Sequence, residues 1–346
     1  MTERIIKIIG GGLAGCAVAR ALRRRGFAPV IYEAGSSLAP GASGNELGMV
    51  NPRFSAEYGP EGEFYWQGYK LALSMFDEME GIDWNPCGAL HLITDEKKER
   101  RFPKTLQNWP ACEDEMRILN AQEASDVAGV ELSHAALYLP GGGSVSPAKL
   151  CGALADGCEI RLGEAVREEV KSDIVIYACG MGTAEFFSDL PLKPVRGQVT
   201  KTGATPQSRN LRCNVHYGGY LSAAQADESA GGWHMLGASF QPWLDHDDIL
   251  PQDNADNLAK LSEVAAELMQ EMEVLGARAA VRTTVPDHFP VAGRLDEGRY
   301  VSTAHGSHGV ISSLLAAEII AAEIAGEESP VRRDVLDRLS ADRFLV

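Results

Sequence analysis

The feature that most constrains the fold lies at the start of the chain. Ile5-Ile6-Lys7-Ile8-Ile9 is short, β-branched and almost continuously apolar, the pattern of a strand buried on both faces of a parallel sheet. Gly10-Gly11-Gly12-Leu13-Ala14-Gly15 follows. Ala14, Ala17, Val18, Ala21 and Leu22 then recur at helical spacing, with Arg20, Arg23 and Arg24 off that stripe. Gly26 sits where a helix end favours left-handed backbone, and Pro29-Val30-Ile31-Tyr32 reads as a second strand ending at Glu33. Strand, glycine turn, helix and parallel strand make a βαβ unit.

Within that unit stands Gly10-x-Gly12-x-x-Gly15, with Glu33 at the end of the next strand. The first glycine permits a tight turn and the second lets the backbone approach a pyrophosphate. The third lets helix and strand pack closely, so that Leu13 and Ala14 open a helix whose positive end faces the anion. Glu33 is placed to accept hydrogen bonds from ribose hydroxyls. Spacing alone does not separate NAD from FAD. A flavin enzyme reduced by NAD(P)H commonly carries a second such fingerprint, and the other glycine clusters supply none. Pro140-Gly141-Gly142-Gly143 lacks a preceding strand and a following helical stripe and reads as a hinge. Gly180-x-Gly182 follows the apolar strand Asp173–Ala178 but lacks the third glycine. It is either a strand-end turn or a second sheet edge touching the same cofactor.

Composition narrows the class further. A length of 346 residues predicts about two domains. The net charge of −16 opposes unaided binding to a polyanion. Seven cysteines without a Cys-x-x-Cys pair argue against a disulfide framework or a zinc site, so no metal centre is expected and a reducing compartment fits. Only four residues precede the first apolar run, which leaves no room for a leader peptide. The apolar stretch Val310 to Ala325 carries Glu318 and Glu323, which marks a buried helix rather than a membrane span. The expectation is a cytoplasmic protein.

Further segments carry a resemblance. They are Gly41-Ala42-Ser43-Gly44-Asn45 with Gly48 and Pro52; Pro191-Leu192-x-Pro194-Val195-Arg196-Gly197-Gln198; Gly219-Tyr220-Leu221; and Gly237-Ala238-Ser239-Phe240. Arg282-Thr283-Thr284-Val285-Pro286-Asp287-His288-Phe289-Pro290, Gly293, Gly306-Ser307-His308-Gly309, Ala317-Glu318 and Arg343 complete the set. In order and spacing the chain resembles the glycine-oxidase and D-amino-acid-oxidase superfamily of FAD enzymes. Within it, the chain is most similar to the FAD-dependent oxidoreductase domains of bifunctional tRNA 5-methylaminomethyl-2-thiouridine biosynthesis proteins. The resemblance implies an α/β fold: a Rossmann-like FAD-binding domain (1–80, 141–189 and 286–346) interleaved with a mixed β-sheet, α+β substrate domain (81–140 and 190–285). Leu211–Leu221 and Trp233–Phe240 read as strands and Asn254–Met272 has helical spacing, which is compatible.

The resemblance also implies amine oxidation, in which the cofactor does the hard chemistry and the protein supplies position and electrostatics. Arg282 matches the family's carboxylate clamp, a role that suits a planar two-pronged cation. Without the motif, an ion pair with one of the 48 acids would be the plainer reading. Tyr220 is implied beside it in the substrate pocket. Gly306-x-x-Gly309 would let the flavin ring approach the start of a helix at Val310, with His305, Ser307 and His308 as flavin neighbours. The implied FAD contacts further include Ala42, Ser43, Asn45, Gly48, Val166, Cys179, Gly180 and Gly293. Cys179 reads as a small buried group rather than a flavin attachment point.

The substrate implied is an amine bearing a carboxylate: a carboxymethylaminomethyl-uridine at the wobble position of tRNA, giving glyoxylate and an aminomethyl-uridine. The partner half of the family, a methyltransferase, does not fall within these 346 residues, so a separate methyltransferase is a candidate partner. Basic clusters at Arg23–Arg25, at Lys97, Lys98, Arg100, Arg101 and Lys104, and at Arg332, Arg333, Arg338 and Arg343 lie among acids and usually mark solvated helix faces. Two alternatives therefore stand beside the tRNA reading: an oxidase of free glycine-like amines, and a non-catalytic flavoprotein subunit.

Overall fold

The computed structural model describes residues 5–167, 172–226 and 231–344. The opening unit forms as its pattern predicts. Strand Ile6–Ile9 runs into helix Leu13–Arg23 and then into strand Pro29–Glu33, parallel to the first with Ile6 opposite Pro29 and Ile9 opposite Tyr32. Ile174–Tyr177 pairs in parallel on the other side, Ile9 opposite Tyr177. In the six-stranded sheet the order is Val291–Asp296, Arg299–Thr303, Ile174–Tyr177, Ile6–Ile9, Pro29–Glu33, Glu159–Leu162. The chain leaves the first strand to one side and returns later to the other, which opens a crevice at that strand's carboxyl end.

Helices Leu13–Arg23, Pro60–Phe76 and Gly309–Ala325 close over this sheet. Ile8, Cys16, Leu22, Phe64, Leu314 and Ile320 are all buried in the shared core. Each large apolar side chain buried there contributes roughly 1.5–3 kcal/mol. Ala316, Ala317 and Ala321, also buried, give the closing helix the slim profile of a helix in contact all round. Among the described residues one segment, Gly306–Ala325, is long and apolar enough to cross a membrane, with mean hydropathy 1.5, and most of it is buried inside the protein. Its two acids are paired, Glu318 with Arg25 at 2.8 Å and Glu323 with Arg294 at 2.9 Å.

The second sheet has eight strands in the order Val274–Thr284, Lys193–Gly203, Trp233–Gly237, Tyr220–Leu221, Asn214–His216, Ala89–Leu92, Ala136–Leu139, Arg117–Leu119. Its strand Lys193–Gly203 alternates with period two. Arg196, Gln198 and Thr200 point to one face, beneath helix Pro251–Met269, where Asn254 accepts from Gln198 at 2.9 Å and from Thr200 at 2.7 Å. Val195, Gly197 and Val199 point to the other. On that face, register places Arg278, Val199, Gly237, Tyr220, His216 and His91 in one row across the sheet.

The segment 140–143, expected as a hinge, is ordered structure. Gly143–Val145 is a strand pairing antiparallel with Gly48–Val50. Ser144 exchanges backbone hydrogen bonds with Asn85 at 2.9 and 3.0 Å, and Gly88 N–H donates to the Gly142 carbonyl at 2.7 Å. Fixed on both sides, the glycines serve close backbone packing rather than bending. The stretch Leu211–Leu221 is in turn a hairpin of two short strands, Asn214–His216 and Tyr220–Leu221.

Candidate active site

One cavity of about 1070 Å³ lies between the two sheets, at the upper end of the size range of small-molecule sites. It begins at the glycine turn. Gly10 has φ +108°, and a Cβ there would lie 2.5 Å from the Ala178 carbonyl. A Cβ on Gly15 would come within 1.9 Å of the Gly10 carbonyl, so position 15 has to stay bare for the helix to seat on the strand. Gly12 brings no side chain to cap helix Leu13–Arg23, and its first turn holds no acid. The helix therefore presents its positive end to the cavity.

Glu33 is nearly fully buried. Its Oε2 accepts from Gly11 N–H and its Oε1 from Gly35 N–H, both at 2.7 Å. Each oxygen keeps a lone pair for a further donor such as a ribose hydroxyl. Ser43 Oγ accepts from Leu13 N–H at 3.0 Å, which leaves its own proton to donate. Asn45 Oδ1 accepts from Arg278 at 2.9 Å, while Arg278 also donates to the Gly41 carbonyl at 2.6 Å. The loop over residues 41–45 is thus pinned by an arginine of the second sheet.

The far end is built by the segment after strand Arg299–Thr303. His305 Nδ1 lies 2.9 Å from Ser312 Oγ, which donates its only proton to the His308 carbonyl. Ser312 must therefore accept from His305 Nδ1–H, and His305 Nε2 accepts from Ser302 at 3.0 Å. With both nitrogens occupied, and burial pushing its pKa down to about 4, His305 is a neutral structural group. His308 is also pushed down to about 4, by burial first and then by the neighbouring Arg53 and Arg282.

Arg282, on strand Val274–Thr284, reaches into the cavity beside Tyr220. Its Nη1 touches the Ser239 carbonyl at 3.5 Å, and among the described residues no carboxylate pairs with it. The guanidinium lies across Gly197, where a Cβ would meet it at 2.1 Å. Burial pushes the Tyr220 phenol up to about 12, so it stays a neutral donor.

Of the residues singled out in the sequence, Gly10, Gly12, Leu13, Ala14, Glu33, Ala42, Ser43, Asn45, Gly48, Val166, Cys179, Gly180, Tyr220, Arg282 and His305 to Val310 all line this cavity. Gly15 lies behind the turn in its packing role. Gly293 is the exception. It sits opposite Val301 in the sheet's outermost strand, away from the cavity. Sequence reading missed Arg53, Phe54, His91, Phe102 and His216, and placed Lys98 and Arg101 only in a basic cluster of a solvated helix face; all seven line the cavity. Arg53 and Phe54 directly follow the Pro52 of a recognised segment, a signal that was available; His91 and His216 meet by register between distant strands, and Lys98, Arg101 and Phe102 are brought in by helix Glu96–Asn108.

Comparison with known proteins decides the class. The model of the FAD-dependent oxidoreductase family matches residues 6–323. The chain belongs to this family. It is 35% identical to the tRNA 5-methylaminomethyl-2-thiouridine biosynthesis bifunctional protein MnmC of Idiomarina loihiensis, over 99% of this chain and 59% of that protein. Identity to the protein of the same name from Pseudomonas aeruginosa PA14 is 33%, over 99% of this chain and 60% of the relative. The chain thus spans about three-fifths of the length of these curated relatives. Among solved structures, glycine oxidase from Geobacillus kaustophilus superposes with TM-score 0.82 at 22% identity, covering 98% of both chains. Iminodiacetate oxidase from Chelativorans sp. BNC1 gives 0.80 at 19% identity, over 97% of this chain and 98% of that one. These two likenesses speak for the fold. The cofactor of this family member is FAD, and the cavity fits it: a glycine turn, a buried acid for the ribose and two helix starts free of acids open onto one long space.

Proposed function

We propose that the protein oxidises the C–N bond of an N-carboxymethyl amine, and that its substrate is the carboxymethylaminomethyl-uridine of tRNA, released as aminomethyl-uridine and glyoxylate. The observation that carries this is Arg282, a cavity guanidinium with no carboxylate of its own. Removing a charge from water without a partner is costly, and a substrate carboxylate supplies the missing counter-charge in two-pronged form. The similarity to the MnmC proteins over nearly the whole chain supports the tRNA-borne substrate.

FAD held in this cavity would supply a two-electron acceptor for the hydride of the carbon beside nitrogen, and the imine so formed would take up water and split. The chain's own residues prepare that event. The turn at Gly10 to Ala14, with Glu33 and Ser43, holds the ribose and pyrophosphate end. The start of helix Gly309–Ala325, whose first turn lacks acids, favours negative charge at the ring end. Arg282 and Tyr220 fix the carboxylate, which orients the adjacent C–H. Burial pushes the imidazoles of His305 and His308 down to about 4, so both stand as neutral neighbours of the flavin rather than as general bases. We further propose that the six- and eight-stranded sheets head separate FAD and substrate domains, that the protein works in the cytoplasm, and that a separate methyltransferase acts on its product.

The test is mass analysis of nucleosides from tRNA incubated with the FAD-loaded enzyme. Loss of the carboxymethyl-bearing nucleoside with matching glyoxylate is expected. Unchanged tRNA alongside turnover of free glycine or sarcosine would replace this reading with a small-amine oxidase.

A further inference from the structure

Beyond the Arg282 clamp the cavity continues along a wall that none of the steps above uses. Strands Asn214–His216 and Ala89–Leu92 run parallel with His216 directly opposite His91, and the two imidazoles stack at 4.3 Å with planes 9° apart. Phe54 meets His91 edge-on at 5.0 Å and Phe102 at 6.0 Å, while His216 tilts towards Tyr220 at 6.1 Å. A continuous line of rings therefore leads from Tyr220, beside the clamp, to Phe102. Burial keeps both histidines neutral, His216 at about 3 and His91 well below its ordinary value.

Cations flank the far end. Lys98 and Arg101, one turn apart on helix Glu96–Asn108, both line the cavity. Lys98 donates to Thr94 Oγ1 at 2.7 Å and the Tyr217 carbonyl at 3.2 Å and pairs with the exposed Asp95 at 3.7 Å; Arg101 has no ion-pair partner among the described residues. Three buried polar atoms on this one wall, Nε2 of His91, Nε2 of His216 and Nε of Arg101, have no hydrogen-bond partner among the described residues. The same helix carries Lys97 and Lys104 on its exposed side beside the exposed acids Asp95, Glu96 and Glu99, so cations outnumber acids five to three over 95–104. The Phe240 rim leads instead to exposed Asp245, Asp247 and Asp248, which repel a polyanion.

We propose that this wall is a nucleotide subsite. A flat base lies along Phe54 and the stacked His91–His216 pair, and Arg101 and Lys98 hold the phosphodiester that joins the substrate nucleoside to its neighbour in an RNA. Aromatic faces accept any base, and cations on a strand's phosphates supply affinity without reading sequence. The subsite rests on the tRNA reading above. It also reconciles a net charge of −16 with an RNA substrate, because a short basic path is enough for one strand.

The experiment compares an anticodon stem-loop RNA carrying carboxymethylaminomethyl-uridine with the same modified uridine as a free nucleoside, using FAD-loaded enzyme. Arg101→Gln is expected to raise KM for the RNA at least tenfold more than KM for the nucleoside. It should also flatten the salt dependence of kcat/KM for RNA by about one logarithmic unit per logarithmic unit of salt. Phe54→Ala should raise KM for both substrates, and Lys260→Gln, on an exposed helix face remote from the cavity, should follow the unmodified enzyme. If Phe54→Ala loses its flavin, Arg101→Gln alone decides. An Arg101→Gln enzyme that keeps the original KM and salt slope for RNA overturns the subsite while leaving the tRNA reading intact. An unmodified enzyme that turns over the nucleoside but never the RNA overturns both.

Discussion

The Arg282 guanidinium occupies the space a side chain at position 197 would fill, so two residues from different strands share one function. Arg282→Met is expected to lower kcat/KM for carboxylate substrates at least a hundredfold, about 3 kcal/mol, with flavin retained. Gly197→Ala should give a milder loss confined largely to KM, because it displaces the clamp without removing it. Both follow from steady-state kinetics beside the flavin-to-protein absorbance ratio. Glu33→Ala should weaken FAD retention after gel filtration, since it removes a ribose acceptor and the partner of Gly11 and Gly35 together. Arg282 and Glu33 were legible in the sequence because each sits in a local motif. His91 and His216 were not, because what makes them a site is a strand register spanning distant segments, and Arg101 showed only as one cation of a basic cluster.

At the scale of elements, the opening strand and the closing helix could be read from continuous apolar runs, since their neighbours bury them on all sides, and the helix between from its apolar spacing. The second sheet was harder. Its short strands gain their identity from partners rather than from their own pattern, which is why 211–221 hides a hairpin; the same holds for 140–143, which looks like a hinge but leads into a two-stranded pairing with Gly48–Val50. What joins its strand Lys193–Gly203 to helix Pro251–Met269 is polar: Arg196 is fully buried and ion-paired with buried Asp253, and also bonds Gln198 at 2.9 Å. Removing one partner of such a pair strands a charge in the interior. Asp253→Ala should therefore cost about 3–5 kcal/mol in urea unfolding. A loss under 1 kcal/mol would mean that the pair is not the joint between helix and sheet.

For the whole molecule, composition bounded the class but hid the distribution of charge, since the cavity wall gathers Arg53, Lys98, Arg101 and Arg282 in a chain of net charge −16. The same cavity sets a pH response. His91, His216, His305 and His308 are all held below the ordinary histidine value near 6.5. Below pH 6.5 the unfolded chain binds protons that the folded chain refuses, so stability is full above that value and falls as pH drops towards 4. Tm should decline between pH 7 and pH 5, above the range where most carboxylates titrate; a flat Tm there contradicts the buried neutral set. The most direct test of the central claim, that an unpaired cavity arginine selects a carboxymethyl amine for oxidation by FAD, is anaerobic mixing of the FAD-loaded enzyme with carboxymethylaminomethyl-uridine and with its carboxamide analogue. Bleaching of the flavin at least a hundredfold faster with the carboxylate is the expected result; equal rates, or no bleaching with either, would contradict it.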